Sequence, residues 1–135
     1  MTARPTRAAK WAVLAVTALA ITLSARSLTG PGSGMPWDQV PPRDHARANP
    51  LAGRPDSVSA GAILYRGHCL QCHKADAQGD GNKRPSLRSE HIRSASDGDL
   101  EWFLRQGDLR HGMPSWSGLP EAQRWQIVAY LRSLQ

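Results

Sequence analysis

The chain has 135 residues, 21% of them charged, with 17 Lys/Arg against 11 Asp/Glu and a formal net charge of +6; this is room for one small domain and a further segment. The excess is uneven, since residues 1–54 carry seven Lys/Arg and two Asp/Glu while residues 55–135 carry ten and nine. The positive charge therefore belongs to the N-terminal region and forms no basic stripe on the foldable part, which sets nucleic acid aside as a partner.

Arg4, Arg7 and Lys10 precede an uncharged run, Trp11 to Ala25, that ends at Arg26. A basic flank before an apolar run is an export segment, and we take residues 1–28 as a signal peptide or an uncleaved membrane anchor. The run is long for a signal core and short for a spanning helix, and the residues before any cut are poor cleavage sites. Snorkelling by Lys10 and extension to Leu28 favour the anchor. In either case the rest of the chain is exported, to a periplasmic or other extracytoplasmic location tethered to the cytoplasmic membrane. Residues 29–56 hold six prolines and four glycines without an apolar period, which reads as a linker.

From Ser57 to Gln135 the patterning is helical and no run alternates like a strand. A first helix starts near Ser57 or Ser59, with Ala60, Ile63 and Leu64 at helical spacing, and ends at the cysteine motif. Residues Lys74 to Leu87 are polar and glycine-rich and read as turns. Ser96 caps a helix over Asp97 to Gln106 whose apolar face is Leu100, Phe103 and Leu104, with Gly107 ending it. Asp97, Asp99 and Glu101 read as favourable charges at its start. Gly107 to Gly118 is a loop. Pro120 opens a last helix with a stripe of Ile127, Val128, Leu131 and Leu134.

The chemistry lies in HCLQCH, His68 to His73. Cys69, Cys72 and His73 occupy positions i, i+3 and i+4, one face of a helical turn. That pattern suits a c-type haem, with two thiols adding to the vinyl groups and the adjacent imidazole reaching the iron. Zinc would need a further ligand pair at metal spacing, which His45, His68, His91 and His111 do not form, and a redox dithiol would need a βαβ context. These two cysteines are the only ones, so no disulfide framework supports the domain, and a large apolar cofactor would supply the core that roughly eighty residues lack. Met113, between Gly112 and Pro114, is the candidate for the second axial position; His111 is its rival, and gap-filling in the core is the other fate of a methionine. His68 and His91 read as surface residues. No acid, base or nucleophile constellation implies a small-molecule substrate.

With these residues in view, Ser57 to Gln135 resembles the bacterial class I cytochrome c family of the small mono-haem type. The likeness rests on Gly61 and Tyr65 in the first helix, Tyr130 in the last, Cys69, Cys72 and His73, Pro85 twelve residues after the histidine, and SDGDLEWFLRQG followed by GMPSW. It implies an all-α fold of three to four helices wrapped around one covalent haem c, with Gly61 and Tyr65 packed across the last helix near Tyr130. It implies that the Pro85 carbonyl accepts the His73 Nδ1 proton, that Leu87 lines the haem pocket, and that Met113 binds iron. Trp116 resembles the aromatic that follows the methionine and either lines the haem or simply packs; Tyr65 is a further pocket candidate. Lys74 departs from the small residue common after the histidine. With Lys83, Arg84 and Arg110 it forms a weak positive rim or a solvated surface, the latter favoured. The expected role is single-electron transfer between redox proteins. Two alternatives are a haem-bearing subunit of a larger dehydrogenase or oxidase complex, and a ligand-binding haem enzyme or sensor with a labile sixth ligand.

Overall fold

The computed structural model describes residues 37–81 and 83–135, so the expected signal or anchor at 1–28 and the first part of the linker lie outside the described residues. Six α-helices follow one another: α1 (Pro42–His45), α2 (Pro55–His68), α3 (Leu70–His73), α4 (Glu90–Ser94), α5 (Asp97–Gln106) and α6 (Glu121–Ser133), with 3-10 turns at Trp37–Gln39 and Leu109–His111. Among the described residues there is no strand beyond an isolated bridge between Asp108 and Met113, and no helix is long and apolar enough to cross a membrane.

The three long helices agree with the sequence reading, with differences that have physical causes. Helix α2 starts at Pro55, two residues earlier than the serines suggest, because proline fits the first helical turn where its missing N–H costs nothing. Its buried line is Ser57, Gly61 and Tyr65, whereas Ile63, expected on the apolar face, is 62% exposed. The reason is the crossing with α6. A Cβ on Gly61 would lie 2.0 Å from the Gln126 carbonyl oxygen and 2.9 Å from Tyr130 Cβ, so the backbones meet where only glycine fits. One turn on, the Tyr65 and Tyr130 rings pack at 5.2 Å between centroids. Ile127, Val128 and Leu131 of α6 are buried with Trp125, and Leu100, Phe103 and Leu104 of α5 close the core as expected. Helix α4 was not foreseen; its single buried residue, Ile92, is too little to show a period.

The larger correction concerns residues 37–54, expected to belong to the linker, which are folded against α5 and α6. The Trp37 ring meets Phe103 edge-on at 4.7 Å and lies 5.0 Å from the His91 ring. Asp44 is buried and accepts from Arg105 at 2.6 Å. His45 Nδ1 lies 2.9 Å from Asp99. Asn49 Nδ2 donates to the Trp125 carbonyl at 2.9 Å while its Oδ1 accepts from Leu51 N at 2.8 Å. Gly98 lets the segment seat, since a Cβ there would stand 1.9 Å from the Asp44 carbonyl oxygen. The segment has few apolar residues and no period, so its folding is carried by polar anchors whose partners lie far along the chain.

Those anchors also revise the reading of the acidic residues of α5. Ser96 and Asp99 do form the capping box that starts the helix. Glu101, however, is fully buried and accepts from Arg124 Nε at 2.7 Å and Arg47 at 3.2 Å, while Arg105 Nε stands 3.6 Å away, at ion-pair range. Arg47 also lies 5.0 Å over the Trp125 ring and bonds Glu121. The cluster locks the N-terminal segment, α5 and α6 together.

Two outcomes follow for stability. Gly61→Ala is expected to destabilise the domain by about 1–3 kcal/mol, because the added methyl meets backbone that has no rotamer to yield; denaturant unfolding measures it. Glu101→Ala strands the buried Arg124 and is expected to cost about 3–5 kcal/mol, seen as a lower midpoint in thermal unfolding.

Candidate functional site

The cysteine motif sits where α2 stops. Cys69 N still bonds the Tyr65 carbonyl at 2.8 Å, and His73 N bonds the Cys69 carbonyl at 2.8 Å, so Cys69, Cys72 and His73 share a single turn that α3 completes. Cys69 is buried and Cys72 half-buried, and no disulfide joins them. Burial pushes the Cys69 thiol up to about 11, with the neighbouring Cys72 adding to the shift. This keeps Cys69 a neutral thiol at physiological pH.

His73 is half-buried. Its Nδ1 stands 3.1 Å from the Pro85 carbonyl oxygen, an atom that only accepts, so the Nδ1 position carries the proton and Nε2 keeps its lone pair. Burial lowers the imidazole pKa, and the Pro85 carbonyl only partly opposes this. The ring is therefore held neutral, in the tautomer a metal ligand needs. The resemblance implied this bond, and the geometry contains it.

The loop that delivers Pro85 is tied down at several points. Tyr65, 1% exposed, donates from its hydroxyl to the Lys74 carbonyl at 2.7 Å, and burial pushes its phenol pKa upward. Gly79 N bonds the His73 carbonyl at 3.0 Å and Leu87 N bonds the Ala77 carbonyl at 2.8 Å. Lys74 and Ala77 take positive φ values, 66° and 59°, and Ala77 is fully buried. A left-handed alanine is uncommon, and no sequence signal marked it. Leu87 is buried in the core cluster. Tyr65 thus belongs to the helix crossing and to this loop anchor, a role the sequence did not separate from pocket lining.

Met113 stands on a loop hung from the end of α5. Gly107, φ 71°, ends the helix, and a Cβ there would meet Ser115 N at 2.5 Å. Asp108 and Met113 exchange backbone hydrogen bonds at 2.8 and 2.9 Å, and Trp116 N bonds the Leu104 carbonyl at 2.8 Å. Ser115 Oγ donates to the Arg105 carbonyl at 2.7 Å. Met113 and Trp116 pack, partly buried, against the cluster that contains Cys69, Tyr65 and Leu87. His111 is turned outward, its side chain 73% exposed and 2.6 Å from Asp108. His68 is exposed and lies 4.9 Å from the Trp116 ring, and His91 is exposed beside Trp37. Lys74, Lys83, Arg84 and Arg110 are all exposed, and Arg84 pairs with Asp80 at 3.7 Å.

The donor set is two thiols, one neutral imidazole with a free Nε2, and a thioether on the same core. Among the described residues no group of three or more His, Cys, Asp or Glu gathers as a metal site, so the further ligands that zinc would require are missing. The residues fit a c-type haem. The open cleft of about 370 Å³ beside Gln39, Trp102 and Leu109 is a separate feature, lined by neither the cysteines nor His73.

The comparisons with known proteins agree with this chemistry. Residues 56–131, more than half of the chain, match the family model described as cytochrome C oxidase, cbb3-type, subunit III. No curated protein matches the chain. The chain belongs to this family of class I c-type cytochrome domains, whose cofactor is a covalently bound c-type haem with its iron and whose chemistry is haem-based electron transfer.

Proposed function

We propose that the protein carries single electrons between redox proteins on the outer face of the cytoplasmic membrane, through a haem attached at Cys69 and Cys72 with His73 and Met113 as axial ligands. The observation that carries this reading is the hydrogen bond from His73 Nδ1 to the Pro85 carbonyl at 3.1 Å, beside the only two cysteines in the sequence. Bound haem supplies an iron that alternates between ferric and ferrous states.

The chain's own residues do the rest. The Pro85 carbonyl orients His73 and makes it a stronger donor. The Met113 thioether, neutral and soft, favours the ferrous state and raises the potential, and two held ligands keep reorganisation small. Leu87 and Trp116 exclude water from the pocket. Residues 1–28 act as the membrane anchor, residues 29–36 as the tether, and residues 37–135 as the electron-transfer domain. Ile63 and Leu70, 62% and 36% exposed on either side of the motif's start, form the apolar part of a small, transient docking surface for the donor and acceptor.

A second reading has its own support. The matched family is described as a subunit of an oxidase, which favours a haem-bearing subunit held in a larger complex over a free-standing carrier. Detergent extraction and affinity purification of the full chain separate the two: a stoichiometric larger partner favours the subunit, and recovery alone favours the carrier.

Met113→Ala is expected to convert a low-spin, carbon-monoxide-resistant protein into a high-spin one that binds the gas, with a lowered reduction potential; visible absorption of both oxidation states measures this. A parent that binds carbon monoxide readily would replace the carrier reading with the ligand-binding one. Transfer to a redox partner is expected to slow or quicken with ionic strength, as transient charge-guided encounters do, and a stopped-flow rate indifferent to salt would argue for a permanent complex.

A further inference from the structure

The segment 37–49 and the loop carrying Met113 are both fastened to α5. The segment meets every turn of that helix: the Asp44 carbonyl crowds Gly98, His45 pairs with Asp99 at 2.9 Å, Arg47 with Glu101 at 3.2 Å, and Trp37 packs on Phe103 at 4.7 Å. Arg105 is where the two sets of contacts join. Asp44 holds its guanidinium at 2.6 Å, and its carbonyl receives the Ser115 hydroxyl at 2.7 Å, two residues after Met113. The neighbouring Leu104 carbonyl takes Trp116 N at 2.8 Å.

On that flank the loop is held otherwise by its own neck, where Asp108 and Met113 exchange backbone bonds and Gly107 closes on Ser115, and that neck continues the end of α5. Between Gln39 and residues Gly107–His111 lies the open cleft, and Leu109 at the turn is 78% exposed. The last turn of a helix is the part most prone to local opening. If α5 loosened at Arg105, the bonds that Leu104 and Arg105 make to residues 115 and 116 would go with it. The family likeness begins at residue 56, so it assigns nothing to this segment.

We propose that residues 37–49 are a positioning element for Met113: by pinning α5 as far as Arg105, they set how firmly the loop presents the thioether to the sixth coordination position. This rests on the reading of Met113 as that ligand. Releasing the segment then raises the population in which the position is open, and a small ligand that competes with Met113 gains affinity. Couplings through contiguous networks of this kind are on the order of 5–150-fold.

The test uses the holoprotein and four variants: Met113→Ala, Asp44→Asn, Gly98→Ala and, as a control on a surface pair, Glu90→Ala. Each ferrous protein is titrated with carbon monoxide, and the potential is measured, at a temperature where circular dichroism shows native helix content. The expected result is resistance in the parent and in Glu90→Ala, strong binding in Met113→Ala, and in Asp44→Asn and Gly98→Ala an affinity raised on the order of tenfold with a lower potential. Should Gly98→Ala fail to yield holoprotein, the milder Asp44→Asn decides. Carbon monoxide exclusion as complete as the parent's in the segment variants overturns the proposal while leaving Met113 ligation standing. A parent that binds the gas as readily as Met113→Ala overturns both.

Discussion

The approach of α2 to α6 at Gly61 is the constraint from which the rest of the architecture follows. With no room for even a Cβ between Gly61 and the Gln126 carbonyl, the Tyr65 ring falls into the core one turn later and meets Tyr130. From there its hydroxyl reaches the Lys74 carbonyl, immediately after His73. The crossing thus fixes the end of α2, the end of α2 fixes the cysteine turn, and the tyrosine ties that turn to the loop whose Pro85 carbonyl orients the imidazole. A helix contact remote from the chemistry thus heads the series of contacts that ends at the Pro85 carbonyl.

Electrostatics supplies what apolar area does not. The core cluster is small, built from Tyr65, Leu87, Ile92, Leu100, Leu104, Trp125, Ile127, Val128 and Leu131 with a few smaller neighbours. Beside it sits a fully buried carboxylate, Glu101, held by Arg124 and Arg47. Buried ion pairs repay their desolvation only when geometry and additional hydrogen bonds are good, and here Arg124 also bonds the Leu119 carbonyl. The pairs add specificity of placement, since each joins residues far apart in the chain. They hold segment 37–54, α5 and α6 in one arrangement.

How much of this could be read in the sequence depends on the kind of signal. The Ser96 cap, the Gly107 stop and the apolar stripes of α5 and α6 follow local rules, and the structure reproduces them. The spacing of Cys69, Cys72 and His73 announces its chemistry because the donors share one turn. The role of Pro85 follows only from likeness to a family, and the structure holds the hydrogen bond at 3.1 Å. Segment 37–54 looks like a linker in sequence because it has prolines and no apolar period, while its attachment depends on Asp44, Arg47 and Asn49 meeting partners more than fifty residues away. For the same reason Glu101 looks like a helix-start charge, and the contact of Asp99 with His45, beyond its place in the capping box, goes unseen: a partner supplied by a distant segment leaves no local trace. Ile63 falls on the expected apolar face and is exposed in the fold, because periodicity reports which residues are apolar, not how closely two backbones approach.

The seat of the N-terminal segment also restricts how this chain can vary. Gly98 accepts no side chain while the Asp44 carbonyl stands against it, and Glu101 cannot lose its charge while Arg47 and Arg124 point at it. Nor can Arg47 change freely, since it serves Glu101, Glu121 and the Trp125 ring together. Residues in two stretches separated by fifty positions must therefore drift in concert or not at all. In a set of descendants of this sequence, the segment and its helix would be inherited as a single unit, and loss of the segment would be accompanied by relaxed choice at position 98, where only the Asp44 carbonyl and its neighbour bar a side chain.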